Sequence, residues 1–437
     1  MEEKQRKPLG LKELIAIAVG GMIGGGIFTI LGIAVSLVGF LAPWAIALGG
    51  VVAFFAAYAY VQLGVYFRDE GATYAFFKRS FLGSHLAASF IGWYTSFGYI
   101  ATLALYAYTF SAYANSGWTW AEDVWVRKGL AIAVLWIFAL INIWSVRGMG
   151  KIEDVLVYAK LTILAVISMM LLYHTHVDWE RFVHTLAEDF ERSSVLQILT
   201  VTAVTFVAYE GFQLVINAVR DMEAPEHNIP RAIYGSIVLV SAVYFIMALA
   251  AVLAIPVGDL IRYKEYALAA GAEAILGNFG RDLVTIGAVF ATSSAIGGTM
   301  FGASRQMARI ADDGYFPTTL SVRKGTIPTH AILAMAGLAS LMVLAGGLRL
   351  ILEFGSITFL LISMLMAIAN YKMRLHTGAS KSLSLLAIAV LAGGTVLILI
   401  YEYHTKPLQM AAIILLYIIL SLSAWLYSHL GRRRASS

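Results

Sequence analysis

The chain has 437 residues, of which 60% are hydrophobic and 13% charged, and its mean hydropathy is +0.78. A soluble domain carries roughly 25% charged residues, so this composition excludes a water-facing surface over most of the molecule. The net charge of +5 comes without a basic arm bearing interleaved aromatics, which argues against nucleic acid as a partner, and the absence of cysteine excludes a disulfide framework or thiolate metal centre.

Twelve apolar stretches follow one another along the chain, each long enough to cross a hydrocarbon layer of roughly 30 Å. They lie at about 11–37, 41–67, 82–115, 129–146, 152–174, 194–219, 231–256, 281–310, 328–346, 349–371, 383–402 and 407–428. Unpaired backbone is too costly in lipid, and the alternation of a membrane barrel is missing, so the stretches predict helices. The polar start, Met1–Leu9, is short, and the apolar run after it is too long for a cleaved signal. An even number of spans puts both termini on one side. With that side as the cytoplasm, the inner segments hold more than twice the basic residues of the outer ones. Lys4, Arg6, Lys7, Arg147, Lys151 and Arg432 to Arg434 are among them. This bias predicts cytoplasmic termini and a cell-membrane location.

The connecting segments are too short to separate soluble domains. The segment 175–193, next to His174, holds His176 and His184 among several acids. It is expected to be a solvated loop with helix ends rather than a metal site. Residues 264–276 suggest a short amphipathic outer helix.

Span one contains Gly20-Gly21-Met22-Ile23-Gly24-Gly25-Gly26-Ile27-Phe28. Glycine costs roughly 1 kcal/mol against alanine inside a helix. Such a run marks either a close helix crossing or a helix that unwinds in the membrane, where bare backbone survives only inside protein or along a polar cavity. Span six carries a comparable interruption, Phe206-Val207-Ala208-Tyr209-Glu210-Gly211-Phe212. Interrupted helices at matching positions of two halves point to a transporter's central site.

A site of that kind suits a zwitterion. A half-helix restarting near Gly24–Ile27 presents free N–H groups and the positive end of its dipole to a carboxylate. Half-helices stopping near Gly21–Ile23 and Phe206–Tyr209 leave carbonyls for an ammonium group. One ligand with both ends is an α-amino acid. The expected substrate-binding residues are Met22, Ile23, Gly24, Gly25, Gly26, Ile27, Phe206, Val207, Tyr209, Glu210 and Gly211. Three roles stay open for Glu210: a counter-charge for cationic substrates, a proton-linked carboxyl, or an acceptor for backbone donors at the break.

Lys160 lies nine residues beyond Lys151 at the edge of span five. At a helical rise this is roughly 14 Å deep, too far for the side chain to snorkel out. Ionisable groups at such depth are functional by default. Removal from water disfavours a charged amine, which makes Lys160 a candidate for proton exchange.

At these residues the chain resembles the amino acid–polyamine–organocation transporter family. The likeness rests on the glycine run, on Ala208-Tyr209-Glu210-Gly211-Phe212, and on Ala224-Pro225-Glu226-His227-Asn228-Ile229-Pro230-Arg231-Ala232-Ile233. It implies an all-α integral membrane protein of the leucine-transporter fold. That fold has twelve transmembrane helices: one five-helix repeat over 11–174, an inverted one over 194–371, and two more helices over 383–428. It implies alternating access around a central amino-acid site. In sodium-coupled relatives a cation bridges spans one and eight. Proton-coupled and sodium-independent members are similar to this chain in having a span-five lysine there. By that resemblance Lys160 would meet the carbonyl of Gly20 and the hydroxyl of Ser293 or Ser294. The segment Val219-Arg220-Asp221-Met222-Glu223 departs from the acid pair that many members carry, and Arg220 is expected to alter a cytoplasmic ion pair. The resulting expectation is proton-coupled amino-acid symport, with an amino acid, a proton and membrane lipid as partners and no cofactor. The alternative is a sodium-independent amino-acid or polyamine exchanger. Neither HExxH nor GxSxG supports a membrane-embedded enzyme.

Overall fold

The computed structural model describes residues 8–118, 120, 123–144, 149–175, 179–263 and 265–435. Lys4, Arg6, Lys7, Arg147 and His176, and the side chains of Lys151 and Arg432 to Arg434, lie outside the described residues.

Helices account for nearly all of these residues, and no strand occurs among them. The first half contains α1 (Leu11–Met22), α2 (Gly26–Val38), α3 (Ala42–Phe67), α4 (Ala72–Ser80), α5 (His85–Ala114), α6 (Val124–Trp144), α7 (Met149–Tyr173) and α8 (Trp179–Arg192). The second contains α9 (Val195–Thr205), α10 (Pro225–Ala254), α11 (Val257–Arg262), α12 (Ala267–Asp312), α13 (Thr329–Ala345), α14 (Leu348–Thr377), α15 (Lys381–Thr405) and α16 (Pro407–Ala435). Local chemistry sets several starts. Pro43 stands in the first turn of α3 and Pro225 opens α10, where the missing N–H costs no bond. Ser194 and Gln197 form a reciprocal cap on α9.

Eight helical stretches among the described residues are long and apolar enough to cross a membrane, and Val157–Tyr173 and Thr329–Ala345 are shorter apolar ones. The 30-residue α5 is less apolar because it runs through the interior, packed against α12, α14 and α16. There its hydroxyls find partners: Thr109 meets Thr29 at 2.5 Å, and Tyr113 donates to the Phe28 carbonyl at 2.8 Å.

Three segments differ from their expected form. The 175–193 region contains α8, an amphipathic helix whose Asp189 carboxylate accepts from the Phe40 N–H at 2.8 Å and so ties it to the turn after α2. Among the described residues no three acids or histidines are grouped to hold a metal. Residues 267–276 and span eight join into α12, whose backbone breaks at Gly277 with φ +66°. Residues 72–80, expected as a connection, form α4.

Ion pairs knit both rims of the bundle. At the rim where α3 and α12 end and α10 begins, Lys78 holds Asp313 at 2.8 Å, Arg79 holds Asp69 at 2.7 Å, and Arg68 reaches Glu226 at 3.3 Å. Arg220 meets Glu70 here at 3.5 Å. Leu9 bridges to the segment after span six: its N–H donates to the Asp221 carbonyl, and its own carbonyl accepts from Glu223. At the opposite rim Arg127 pairs with Glu265. Arg349 of α14 there holds Glu353 at 2.6 Å and Glu402 of α15 at 3.3 Å, and Gln409 of α16 donates to Glu353 at 2.6 Å.

The Arg349 cluster fastens α14 to α15 and α16 with two carboxylates that are only 2% and 0% exposed. Removing the cation strands both, which costs about 3–5 kcal/mol for a buried pair. Arg349→Met is expected to lower the thermal unfolding midpoint of detergent-purified protein clearly. Arg192→Met, which breaks an exposed pair with Glu188, should leave it almost unchanged. Equal midpoints for the two variants would refute the buried clasp.

Candidate functional site: two broken helices

The glycine run does interrupt span one. α1 ends at Met22, Ile23 leaves the helical region at φ −83° and ψ 86°, and α2 starts at Gly26. The Gly24 N–H turns back to the Met22 carbonyl at 3.0 Å, and the first bond of α2 runs from the Thr29 N–H to the Gly25 carbonyl. The N–H groups of Gly25, Gly26, Ile27 and Phe28 therefore have no partner within the helix. They form a donor set at the positive end of a 13-residue helix.

Span six breaks beside it. α9 stops at Thr205 and tightens into a 3₁₀ turn, Phe206–Tyr209. Glu210 is extended, Gly211 takes φ +124°, and a second 3₁₀ stretch, Phe212–Ala218, follows. The breaks touch backbone to backbone. A Cβ on Gly211 would lie 2.4 Å from the Gly21 carbonyl carbon, and one on Gly26 would lie 2.9 Å from Ala208 Cβ. The opposite side of the run is roofed by α5, since a Cβ on Gly24 would meet the Tyr106 ring at 2.7 Å.

The loose carbonyls acquire donors from neighbouring helices. Lys160 of α7, 1% exposed, donates through Nζ to the Gly20 carbonyl at 2.7 Å and the Ile23 carbonyl at 2.6 Å. Tyr244 of α10 donates to the Met22 carbonyl at 2.9 Å and the Ala208 carbonyl at 3.1 Å. The Tyr106 hydroxyl lies 3.5 Å from the Gly21 carbonyl. On α12 the Ser294 hydroxyl is buried with no hydrogen-bond partner among the described residues, and Ser293, beside it in sequence, is partly buried. The carbonyls that Lys160 meets include those of Gly20 and Ile23, the second of which sequence reasoning places with the substrate alone.

Glu210 is 4% exposed. Its Oε2 accepts from Gln213 Nε2 at 2.6 Å, and its Oε1 has no hydrogen-bond partner among the described residues. The side-chain oxygen of Gln213, Oε1, in turn accepts from the Gly211 N–H at 3.1 Å. Gln213 thus bonds one N–H and one carboxylate oxygen at the break, which leaves one Glu210 oxygen over. The Tyr209 hydroxyl is turned away to the Ile46 carbonyl at 2.8 Å. Phe206 and Val207 are fully enclosed, as are Met22 and Ile27.

Sequence reasoning misses Gln213 and Tyr244. Gln213 is within its reach, as an amide three residues after a buried acid. Tyr244 carries no such signal, because its helix is apolar all round.

Against this geometry, a sequence profile for amino acid permeases matches residues 9–420. The chain belongs to the amino acid permease family. A protein of Methanocaldococcus jannaschii is 27% identical over 435 residues, 100% of this chain and 98% of its own length. The inner membrane transport protein YbaT of Escherichia coli is 28% identical over 378 residues, 86% of this chain and 85% of its own. The Asc-type amino acid transporter 1 of Homo sapiens is 27% identical over 364 residues, 80% of this chain and 68% of its own. The permease is thus a multi-pass membrane transporter and not an enzyme, and its broken helices lie within the matched region.

Gly211→Ala tests the backbone contact between the breaks. Positive φ and the clash with Gly21 each penalise a side chain, at about 1–3 kcal/mol for the backbone alone. The variant is expected to lose monodisperse protein or several degrees of thermal midpoint. Gly393→Ala, where an added Cβ meets nothing within 4 Å, is expected to be neutral or slightly stabilising.

Proposed function

We propose that this permease moves α-amino acids across the cell membrane by proton-coupled symport. The substrate is held between the unwound centres of spans one and six. The observation that carries the reading is that N–H groups without a partner within their helix, at the start of α2, lie beside the carbonyls that end α1 and the 206–209 turn. The N–H groups of Gly25 to Phe28 face a carboxylate, and the carbonyl ends of α1 and the 206–209 turn face an ammonium. Met22, Ile23, Gly24, Gly25, Gly26, Ile27, Phe206, Val207, Tyr209, Glu210 and Gly211 form the binding region. Backbone groups and enclosed aromatics supply it, and neither needs a cofactor.

The architecture we infer is twelve spans with both termini cytoplasmic. Spans one to five and six to ten form two inverted repeats, and α15 and α16 lie outside them. The rim bearing Arg68, Lys78, Arg79 and Arg220 is then the inner face, in keeping with the bias of basic residues towards it.

Lys160 is the coupling group. As an ammonium it makes charge-assisted bonds to Gly20 and Ile23, roughly twice as strong as neutral ones. Loss of the proton weakens the tie between α7 and α1, so that α1 is freed to open. Ser293 and Ser294 on α12 complete the surroundings through which α7, α1 and α12 separate and rejoin.

Uptake by purified protein in liposomes distinguishes symport from exchange. Wild-type protein is expected to accumulate an amino acid when the lumen is more alkaline than the outside. Lys160→Ala should lose that accumulation at least tenfold while remaining monodisperse. Full pH-driven uptake by Lys160→Ala would end the coupling role. Uptake that needs internal amino acid and ignores the gradient would instead identify an exchanger.

A further inference from the structure

We propose that α8 is an interfacial helix, which lies along the lipid boundary with Trp179, Val183 and Phe190 immersed and so anchors the end of α2 to the membrane surface.

In the chain α8 follows α7, which ends at Tyr173, and precedes α9, which begins at Val195. It thus sits at the rim where one span leaves the membrane and the next enters. Trp179, Phe182, Val183, Leu186 and Phe190 recur at the spacing that gathers side chains on one side of a helix. Glu180, His184, Glu188 and Glu191 fall on the other side, where Glu188 pairs with His184 at 3.2 Å and with Arg192 at 3.6 Å.

The apolar side is divided between two neighbours. Phe182 rests against Phe40 and Trp44, with ring centroids 5.8 and 6.4 Å away, and Leu186 packs on the core. Trp179, Val183 and Phe190 stay 66%, 61% and 60% exposed. Among the described residues the main packing partner of α8 is the turn Gly39–Leu41, which leaves this strip bare. The strip continues a surface that meets lipid. Trp179, Phe182, Trp44 of α3 and Phe245 of α10 form a chain of ring contacts from α8 onto two spans. Beyond it Leu48 of α3 and Leu196 and Leu199 of α9 are exposed. Aromatic rings concentrate at membrane–water boundaries. The helix carries four acids against two arginines, so apolar area rather than attraction to anionic headgroups holds it there.

One contact carries the anchor to α2. The Asp189 carboxylate accepts from the Phe40 N–H at 2.8 Å. The turn is shaped to receive it, since Gly39 takes φ +55° and a Cβ there would overlap that carboxylate. α2 is one 13-residue helix with its N–H donor set at the far end. A hold at Phe40 therefore acts on the whole rod.

The test uses the full chain in phosphatidylcholine vesicles. The protein has no cysteine, so spin labels can be placed singly through Val183→Cys, Phe190→Cys, His184→Cys and Glu191→Cys. Collision with dissolved oxygen, relative to a water-soluble nickel chelate, is expected to be at least about threefold higher at positions 183 and 190 than at 184 and 191. Replacing part of the lipid with phosphatidylglycerol should leave that ratio unchanged. Three results overturn the proposal: equal access to the chelate at all four positions, labels at 183 and 190 that neither probe reaches (as under a second protein copy), or a ratio that appears only with anionic lipid. Hydrogen exchange reads the hold on α2. Val183→Asp combined with Phe190→Asp is expected to speed exchange of the Phe40 amide at least about tenfold in the vesicles, as is Asp189→Ala. On a water-facing helix the double substitution would be neutral, so unchanged exchange at Phe40 in that variant refutes the anchor.

Discussion

Peptide groups at the centre of a membrane bundle must be satisfied without water. Everything distinctive in this permease follows from how it meets that demand at two places where it has given up helix. Breaking α1 at Met22 and α9 at Thr205 releases carbonyls and N–H groups that a continuous helix would have consumed. Four partners then divide the acceptors. Lys160 takes Gly20 and Ile23, Tyr244 takes Met22 and Ala208, Ser356 takes Val204, and the Gly24 N–H shares Met22. The donors at the start of α2 have no such supply within their helix. The break is well provided on its carbonyl side and bare on its N–H side, which is an anion-favouring arrangement.

The same constraint explains why glycine occupies the run. The two breaks approach until Gly21 and Gly211 are in backbone contact, and a methyl group at Gly211 would overlap the neighbouring chain. Gly24 and Gly26 are closed over by Tyr106 and Ala208. Close approach lets a single tyrosine hydroxyl reach both breaks, so the packing and the hydrogen bonding depend on one another. Clasps at the rims hold this centre from both ends. At the rim where α1 begins, Leu9 fastens the start of α1 to the segment after span six. At the other, Arg349 secures α14, whose Ser356 donates to the Val204 carbonyl at 2.6 Å, close to the second break.

Much of this is legible in the residues alone. Composition excludes a water-facing surface, apolar run lengths require helices, and two glycine-marked interruptions in otherwise apolar runs place the breaks within Gly21–Ile27 and Phe206–Phe212. Lys160 stands out because a charge nine residues inside a span has few explanations. The expected restart at Gly24–Ile27 meets the observed start of α2 at Gly26. The extra helices α4 and α8 are less visible. Each is too short for a span and sits in polar sequence, where helical periodicity and loop composition look alike.

What the sequence determined by itself is the membrane environment, the helical backbone and the two weak points in it, because each follows from local chemistry: hydropathy, backbone cost and a buried charge. What only tertiary structure decided is which group answers which. That Ile23 gives Lys160 a second carbonyl beside Gly20, that Gln213 bonds one oxygen of Glu210, and that Tyr244 spans both breaks are all facts about facing. A helix that is apolar all round carries no periodic signal of its facing, so the partner of a lone polar residue within it is fixed only when neighbouring helices pack against it.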